Sequence, residues 1–197
     1  EHGGVETLRD QPCGRITLLP LPASLMLDLT HEDNLESVLQ IGTLFSHDPY
    51  NLSGSLLLSS LFHTKILGSL ERGIFFPRII ALTEKLLLYS EKASHLIFQN
   101  RINPDSFSEA LRRYIDVFEA ISSTHSIQQA DEIIYTQANK LFKTPVTRSS
   151  VNHPLTLIPF ALVHIFHFAH NPEEALYHAA MEGGSSAPLC ALTASCI

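Results

Sequence analysis

The stretch IPFALVHIFHFAHNPEEALYHAAMEGGSSAPLCALTAS, residues 158–195, decides the fold class because it predicts three helices in succession. Its first part is apolar on nearly every face, which is typical of a buried helix. Asn171-Pro172-Glu173-Glu174 then supplies an N-cap, a proline suited to the first turn and two acids that favour the positive end of the helix dipole. Gly183-Gly184 allows a sharp turn before the last helix, which is built of small residues.

Helical spacing of apolar residues continues upstream of this stretch. It predicts further helices at residues 34–45, 51–67, 75–98, 106–121 and 126–142, and a buried helix at 155–169. No run alternates polar and apolar residues over the length of a strand. We therefore expect an all-α, compact, single-domain helical bundle over residues 1–197, with residues 143–154 as its clearest loop. The core of the buried helix should contain Leu157, Ile158, Leu162, Ile165 and Phe166.

Four sets of residues have the composition of helix starts. Asn103-Pro104-Asp105 and Ser126 each combine a capping residue with a following apolar pattern. Thr30-His31-Glu32-Asp33 supplies a cap and first-turn acids. Ser46-His47-Asp48-Pro49 ends one helix and begins the next.

The balance of charge excludes one class of partner. The chain of 197 residues carries 13 basic against 20 acidic residues, and its longest basic cluster is Arg112-Arg113. Proteins that bind nucleic acid through its phosphates present clustered Lys and Arg, so we expect no nucleic-acid partner. The most apolar segment, residues 155–170, contains a proline and three histidines. We therefore expect no membrane span.

The three cysteines, Cys13, Cys190 and Cys196, follow no metal-binding spacing such as CxxC. An odd number without such spacing is typical of a reducing compartment, so we expect a cytoplasmic protein. Cys190 and Cys196 are expected to be small core residues. The chain opens at Glu1-His2 without an initiating Met, and we expect it to be trimmed or one piece of a longer protein.

The histidines and paired acids invite a metal or catalytic interpretation. His164, His167 and His170 lie at i, i+3 and i+6, with no Asp or Glu beside them in the helix. Ligating imidazoles need such acceptors, so we interpret these residues as core or helix-end histidines. We interpret Glu173-Glu174 and Asp131-Glu132 as first-turn acids rather than as a catalytic carboxylate pair.

Three segments, in the right order, resemble the ADP-ribosylglycohydrolase family. Residues 158–195 are similar to a family stretch of the type IPAALYAF…DFEEALLLAVNLGGDTDTIAAIAGALAGA. GRITLLPLPASLM, residues 14–26, resembles NGALMRVAPLGLL, and IGTLFSHDPYNLSGSLLLSSLF, residues 41–62, resembles ARLTHPHPRAVAAALAYA. The resemblance implies that fold, with the family's N-terminal part and C-terminal end lacking from this chain.

The resemblance also implies a degenerate metal site. In the family the Gly-Gly turn is followed by Asp-Thr-Asp-Thr, which presents oxygens to a pair of Mg²⁺ ions. Here the same positions are Ser185, Ser186, Ala187 and Pro188. Hard divalent cations require oxygen ligands, preferably carboxylates. We therefore expect no metal ligand, no catalytic residue and no cofactor, with Mg²⁺ needed only if the chain is active.

Four substrate-binding residues follow from the same resemblance. His47 in SHDP matches the His that begins the family's THP helix, near bound ADP-ribose, and Ser46 precedes it. Gly14 stands at the family's nucleotide-contacting turn, although the Asn-Gly pair is missing and the match needs a one-residue shift. Gly184 belongs to the Gly-Gly turn. A plain helix cap formed by Ser46-His47 is the alternative interpretation.

Three hypotheses for function result. The first is a non-catalytic ADP-ribosylglycohydrolase-like protein that binds ADP-ribose or a protein partner, as a binding or scaffold protein. The second is an active hydrolase that removes ADP-ribose from modified proteins, with Mg²⁺ ligands supplied by segments or chains not present here. The third is a helical interaction domain that kept this fold and lost the pocket.

Overall fold

The computed structural model describes residues 13–24, 26–27, 29, 32–64, 73–99, 102–141, 152–168, 170–181 and 186–196, which form eleven helices and no strand. The all-α prediction is therefore confirmed for this part of the chain. The helices are α1 (Gly14–Thr17), α2 (Leu21–Ser24), α3 (Glu32–Thr43), α4 (Pro49–His63), α5 (Phe75–Lys92), α6 (Ser94–Gln99), α7 (Pro104–Ser122), α8 (Ile127–Asn139), α9 (Pro154–His167), α10 (Pro172–Met181) and α11 (Ser186–Cys196).

Helix α4 occupies the centre of the fold. It contacts α1, α2, α3, α5, α7 and α9, and its residues 51–61 are buried on every face. A helix enclosed in this way needs apolar or small side chains, and the sequence NLSGSLLLSSL supplies both. The hydroxyl of Ser55 donates to backbone carbonyls at 2.8 Å, those of Thr17 and Asn51. The buried hydroxyl of Ser55 therefore does not carry the cost of an unmade hydrogen bond.

The position of Gly54 on α4 leaves no room for a side chain. A Cβ atom at this position would lie 2.8 Å from Thr17 Cγ2, 2.8 Å from the Tyr114 hydroxyl oxygen and 2.9 Å from Ile158 Cδ1. These three atoms belong to α1, α7 and α9. The missing side chain of Gly54 thus lets three helices approach the same turn of α4.

Helix α9 is the second enclosed helix, with residues 154–165 all buried. The expected core residues Leu157, Ile158, Leu162 and Ile165 are buried, as predicted. The prediction for Phe166 is wrong in degree, because this side chain is only partly buried. It lies at the penultimate position of α9, where the helix leaves the core.

The ring of Phe166 still has aromatic neighbours. It stacks on Phe75 at 5.4 Å between centroids and meets Phe76 edge-on at 5.2 Å. Both belong to the first turn of α5. The contact therefore joins the end of α9 to the start of α5.

The predicted helix starts agree with the structure where residues are described. The side chain of Asn103 accepts from the backbone of Asp105 at 3.0 Å, and Ser126 Oγ accepts from Gln129 N at 3.2 Å. Asn171 Oδ1 accepts from Glu174 N at 3.2 Å, so Glu173-Glu174 lies in the first turn of α10 as predicted. The predicted cap at Thr30-His31 lies outside the described residues.

The interpretation of Asp131-Glu132 as first-turn acids is wrong. Helix α8 begins at Ile127, directly after its cap Ser126, and this places Asp131 in the second turn. Asp131 is also buried, with 3% of its surface exposed. A buried carboxylate one turn inside a helix does not serve the exposed helix terminus.

Several predicted boundaries need correction. The helix predicted at 75–98 is two helices, because the chain bends at Ala93 and thereby buries both Ala93 and Ile97. Helix α3 ends at Thr43, and the Leu44-Phe45 pair forms an exposed turn. Helix α8 ends at Asn139, and α9 begins within the predicted loop 143–154, whose residues 143–151 lie outside the described part.

None of the described helices combines the length and the apolar character needed to cross a membrane.

Candidate functional site

Three helix starts meet at one place, which we call the junction. It consists of Cys13 and Gly14 at α1, residues 46–51 at α4, and Asn152 and His153 at α9. The backbone N–H of Cys13 donates to Asn51 Oδ1 at 2.8 Å, and the backbone N–H of Gly14 donates to the carbonyl of Asn152. These two bonds connect segments that are far apart in the sequence.

The turn at residues 46–51 follows from its local sequence. Asp48 is the N-cap of α4, and its Oδ1 accepts from Asn51 N at 2.9 Å. Pro49 follows at the first helical position, where its missing N–H costs nothing. Ser46 Oγ accepts from the backbone of Asp48 at 3.0 Å. The alternative interpretation of Ser46-His47 as the cap is therefore wrong, because Asp48 is the cap and Ser46 supports it.

Asn51 connects this turn to α1. Its Oδ1 accepts from Cys13 N and lies 3.5 Å from Thr17 Oγ1, while its Nδ2 donates to Ser46 Oγ at 2.8 Å. Only 1% of its surface is exposed. A buried amide whose oxygen and nitrogen are both used in this way fixes the relative position of the groups it bonds.

Gly14 is required by contact with α9. A Cβ atom on Gly14 would lie 2.6 Å from Leu157 Cδ2 and 3.0 Å from the Asn152 carbonyl oxygen. Any larger residue would push the start of α1 away from α9. The glycine that the resemblance assigns to ligand binding therefore has a packing role in this chain.

His153 begins α9 on the other side of the junction. Its Nδ1 accepts from Leu155 N at 3.1 Å, and its carbonyl accepts from Thr156 Oγ1 at 2.8 Å. The edge of its ring meets the ring of Tyr50, with 5.1 Å between centroids. Burial lowers the pKa of His153 to about 3, so this imidazole is neutral at pH 7.

Two tyrosines extend the junction towards α7. Burial raises the pKa of Tyr50, nearby Glu109 and Asp48 raise it further, and Arg113 opposes them. Burial also raises the pKa of Tyr114 well above its usual value. Tyr114 donates its hydroxyl hydrogen to the carbonyl of Tyr50 at 3.4 Å. Both phenols are therefore protonated donors at neutral pH.

The structure brings some of the predicted substrate-binding residues together. Gly14 and Ser46 both lie in the junction, linked through Asn51, and His47 lies half-buried in the same turn. Gly184 lies outside the described residues, so its predicted role stays a prediction. The long-range arrangement therefore groups three of the four predicted positions.

The positions that resemble the metal ligands are partly described. Ser185 lies outside the described residues, and Ser186 begins α11. Ala187 is exposed, and Pro188 is buried. These residues form the first turn of a helix and offer one hydroxyl, one methyl group and one pyrrolidine ring, so the described positions do not fit Mg²⁺.

In the part of the chain that the structure describes, the histidines and cysteines outside the junction do not cluster. His164 is buried and its Nδ1 bonds the Phe160 carbonyl at 2.8 Å, while His170 is exposed beyond the end of α9. In the described ranges no three His, Cys, Asp or Glu residues are arranged to hold a metal ion. Cys190 is only partly buried, which corrects its expected core position, and the side chain of Cys196 is not described.

A polar groove of about 520 Å³ lies elsewhere, between the end of α5 and the start of α7. Two of its charged residues pair with each other, Arg112 and Glu91 at 3.3 Å, and a third, Glu109, pairs with Arg113 outside the groove at 2.7 Å. None of the predicted site residues lines it. The lining residues are Ser90, Glu91, Ser94, Pro104, Asp105, Ser108, Glu109 and Arg112.

Among the junction residues that were not predicted from the sequence are Asn51, Asn152 and His153. The His153-Pro154 pair has the same form as Asp48-Pro49, a capping side chain followed by proline at the first helical position. That pattern could have identified the start of α9. Asn51 has no comparable local signal, because its partner Cys13 is 38 residues away.

Comparison with known proteins gives no relative for this chain: no family model, no curated protein and no solved structure matches it.

Proposed function

We propose that the chain is a non-catalytic, ADP-ribosylglycohydrolase-like binding protein whose ligand, ADP-ribose, binds at the junction beside His47. The observation that carries the proposal is the hydrogen bond between Cys13 N and Asn51 Oδ1. It joins the two segments that resemble the nucleotide-contacting turn and the THP helix start of the family. Two separate resemblances therefore converge on one place in the fold.

The electrostatics of the junction support an anionic ligand. Helices α4 and α9 both begin here, as the contact between Tyr50 and His153 shows, and helix N-termini carry partial positive charge. Arg15 is exposed one residue after Gly14. His47 adds a ring that can donate to a phosphate or hydroxyl oxygen. A pyrophosphate is an anion that such an arrangement attracts.

The start of α11 supports binding without metal-dependent catalysis. Short connections of four residues join α9 to α10 and α10 to α11, and the three helices contact one another. Successive helices joined in this way run antiparallel, so α9 and α11 are expected to begin at the same end of the bundle. Ser186 and Ala187 there supply no carboxylate for a divalent ion.

Titration calorimetry with ADP-ribose tests the proposal. We expect weak binding that is unchanged when Mg²⁺ is added or when a chelator removes divalent ions. The variant His47→Ala should bind about 2- to 10-fold more weakly, the effect of losing one hydrogen bond. His170→Ala is the matched control, because His170 is exposed beyond α9, and its affinity should equal that of the unmodified chain.

A hydrolysis assay on ADP-ribosylated arginine and serine separates the remaining hypotheses. We expect no release of ADP-ribose. Metal-dependent binding or turnover by this chain would establish the active hydrolase instead. Absence of any ADP-ribose binding would favour the helical interaction domain that has lost its pocket.

A further inference from the structure

His153 combines burial with a role at the start of a helix. It is 8% exposed, and its Nδ1 accepts the hydrogen bond from Leu155 N at 3.1 Å. An imidazole nitrogen accepts only when it carries no proton, so the proton of the neutral ring is on Nε2. The cap of α9 therefore depends on the protonation state of one side chain.

The residue before His153 holds α1 in place. The carbonyl of Asn152 accepts from Gly14 N, and its side-chain amide lies 3.5 Å from Cys13 Sγ. The ring of His153 itself packs against Tyr50 on α4. Any displacement of the Asn152-His153 pair would therefore loosen the contacts of Cys13 with α9.

Among the described residues, the titratable groups near His153 come from α1 and α4. Tyr50 from α4 contacts the ring of His153, the thiol of Cys13 at α1 lies beside the side chain of Asn152, and burial lowers the pKa of His153. On the other packed helices, Tyr135 of α8 and His178 of α10 contact Phe160 and Phe168, farther along α9. The charged groups near Tyr50 are Asp48, Glu109 and Arg113, and residues 186–196 of α11 include no charged residue.

We propose that protonation of His153 opens the contact between α1 and α9 and exposes Cys13, while the rest of the fold remains intact. A proton on Nδ1 would replace the accepted hydrogen bond by a repulsive N–H···H–N contact. It would also place a positive charge at the positive end of the α9 dipole. The proposal is independent of ADP-ribose binding.

The direction of the effect follows from linkage. In the closed state the pKa of His153 is about 3, whereas an opened, hydrated imidazole has its ordinary value near 6.5. The open state therefore binds the proton more tightly between these values. Its population should rise roughly tenfold for each pH unit lost below about 6.5, and level off near pH 3.

Thiol labelling measures this opening. Cys13 is labelled with a dithiodipyridine reagent at pH 7 and pH 5 in the Cys196→Ser protein and in the same protein with His153→Asn. Asparagine keeps a capping oxygen that does not titrate. The labelling rate of Cys13 in the Cys196→Ser protein is divided by its labelling rate in the protein that also carries His153→Asn. This ratio should rise roughly 25-fold from pH 7 to pH 5. An unchanged ratio would overturn the proposal.

Two further measurements keep the test decisive. Cys190 on α11 is an internal control. The ratio of its labelling rates in the same two proteins should not change between pH 7 and pH 5 if the opening is local. A parallel rise in the ratio for Cys190 would indicate general unfolding and would contradict a local opening. The ¹⁵N chemical shifts of the His153 ring in the unmodified protein should show the Nε2–H tautomer at pH 7. A proton on Nδ1 would also overturn the proposal. This measurement does not require the His153→Asn variant to fold.

Discussion

The backbone N–H of Cys13 bonds the side chain of Asn51 at 2.8 Å, across 38 residues of sequence. The same amide holds Ser46 through its nitrogen at 2.8 Å. One buried side chain thus determines how the start of α1 meets the start of α4. The proposed ADP-ribose site lies between these two segments, so Asn51 would support both the fold and the proposed binding function.

Asn51→Ala should destabilise the protein by roughly 2–4 kcal/mol, because it leaves the partly buried N–H of Cys13 without its acceptor and removes one of the hydrogen bonds to the Ser46 hydroxyl. Urea unfolding followed by circular dichroism measures the free energy. Gln40→Ala is the control, since Gln40 is exposed and bonds only Glu36 within α3, and it should change stability by less than about 0.5 kcal/mol. Equal effects of the two changes would contradict the assigned role of Asn51.

Gly54→Ala should destabilise the protein although alanine favours helices. The added methyl group would meet Thr17, Tyr114 and Ile158 within 2.9 Å, and overpacking of this kind costs roughly 1–3 kcal/mol, against a propensity gain of about 1 kcal/mol. Gly73→Ala is the matched control, because nothing lies within 4 Å of the added atom. Thermal unfolding of both variants checks the difference, and a more stable Gly54→Ala protein would show that the three helices can separate at no cost.

Phe160→Ala and Phe166→Ala should differ in cost. Phe160 is completely buried in α9, whereas Phe166 is only partly buried at its end. Removal of a fully buried phenylalanine costs roughly 3–5 kcal/mol, and we expect Phe166→Ala to cost less. Denaturant unfolding of both variants gives the comparison. A cost below about 1 kcal/mol for Phe160→Ala would place α9 at the surface.

The stability of the whole protein should fall in acid partly because of His153. Its pKa is lowered on folding to about 3, so the neutral form contributes stability that is fully present above about pH 6.5 and is lost as the pH falls towards 3. Carboxylates also titrate in this range. The difference in unfolding free energy between the unmodified protein and His153→Asn isolates the contribution of His153, and it should shrink by about 1–2 kcal/mol from pH 7 to pH 5. A difference independent of pH would mean that His153 is not buried as a neutral ring.

Introducing the Asp and Thr residues of the ADP-ribosylglycohydrolase motif at positions 185–188 should not create a metal site. The triple change Ser185→Asp, Ala187→Asp and Pro188→Thr supplies two carboxylates, but the described ranges hold no cluster of three His, Cys, Asp or Glu residues that would complete the site. We expect no Mg²⁺-dependent heat in calorimetry and no release of ADP-ribose. Specific Mg²⁺ binding by this variant would show that the chain holds further ligands.

Helix starts were the most predictable part of this fold, because capping acts within three residues of the chain. Asn103-Pro104, Ser126 and Asn171-Pro172 each bond a backbone N–H a few positions later. Helix ends were less predictable. The division between α5 and α6 falls at Ala93, which is neither glycine nor proline, and Ala93 and Ile97 are both buried there.

The members of the junction come from distant segments of the chain. Gly14, Ser46 and His47 were selected together by resemblance to one family, and the structure places these three residues near one another. Asn51 and Asn152 join these segments. Asn51 accepts a hydrogen bond from Cys13, 38 residues earlier in the chain, and Asn152 accepts one from Gly14, which is also far away in the sequence. No periodicity or capping rule contains that information, since it arises only when α4 and α9 pack side by side.

The enclosed position of α4 has a consequence for how this protein unfolds. Helices α1, α2 and α3 contact it from the earlier part of the sequence, and α5, α7 and α9 contact it from the later part. Neither group can detach without exposing a row of leucines to water, at about 25 cal/mol for each Å² of apolar surface. Both groups of helices are therefore stabilised by contacts with the same helix, α4. Denaturation should therefore be cooperative, with the same midpoint for far-UV circular dichroism as for the fluorescence of the five tyrosines.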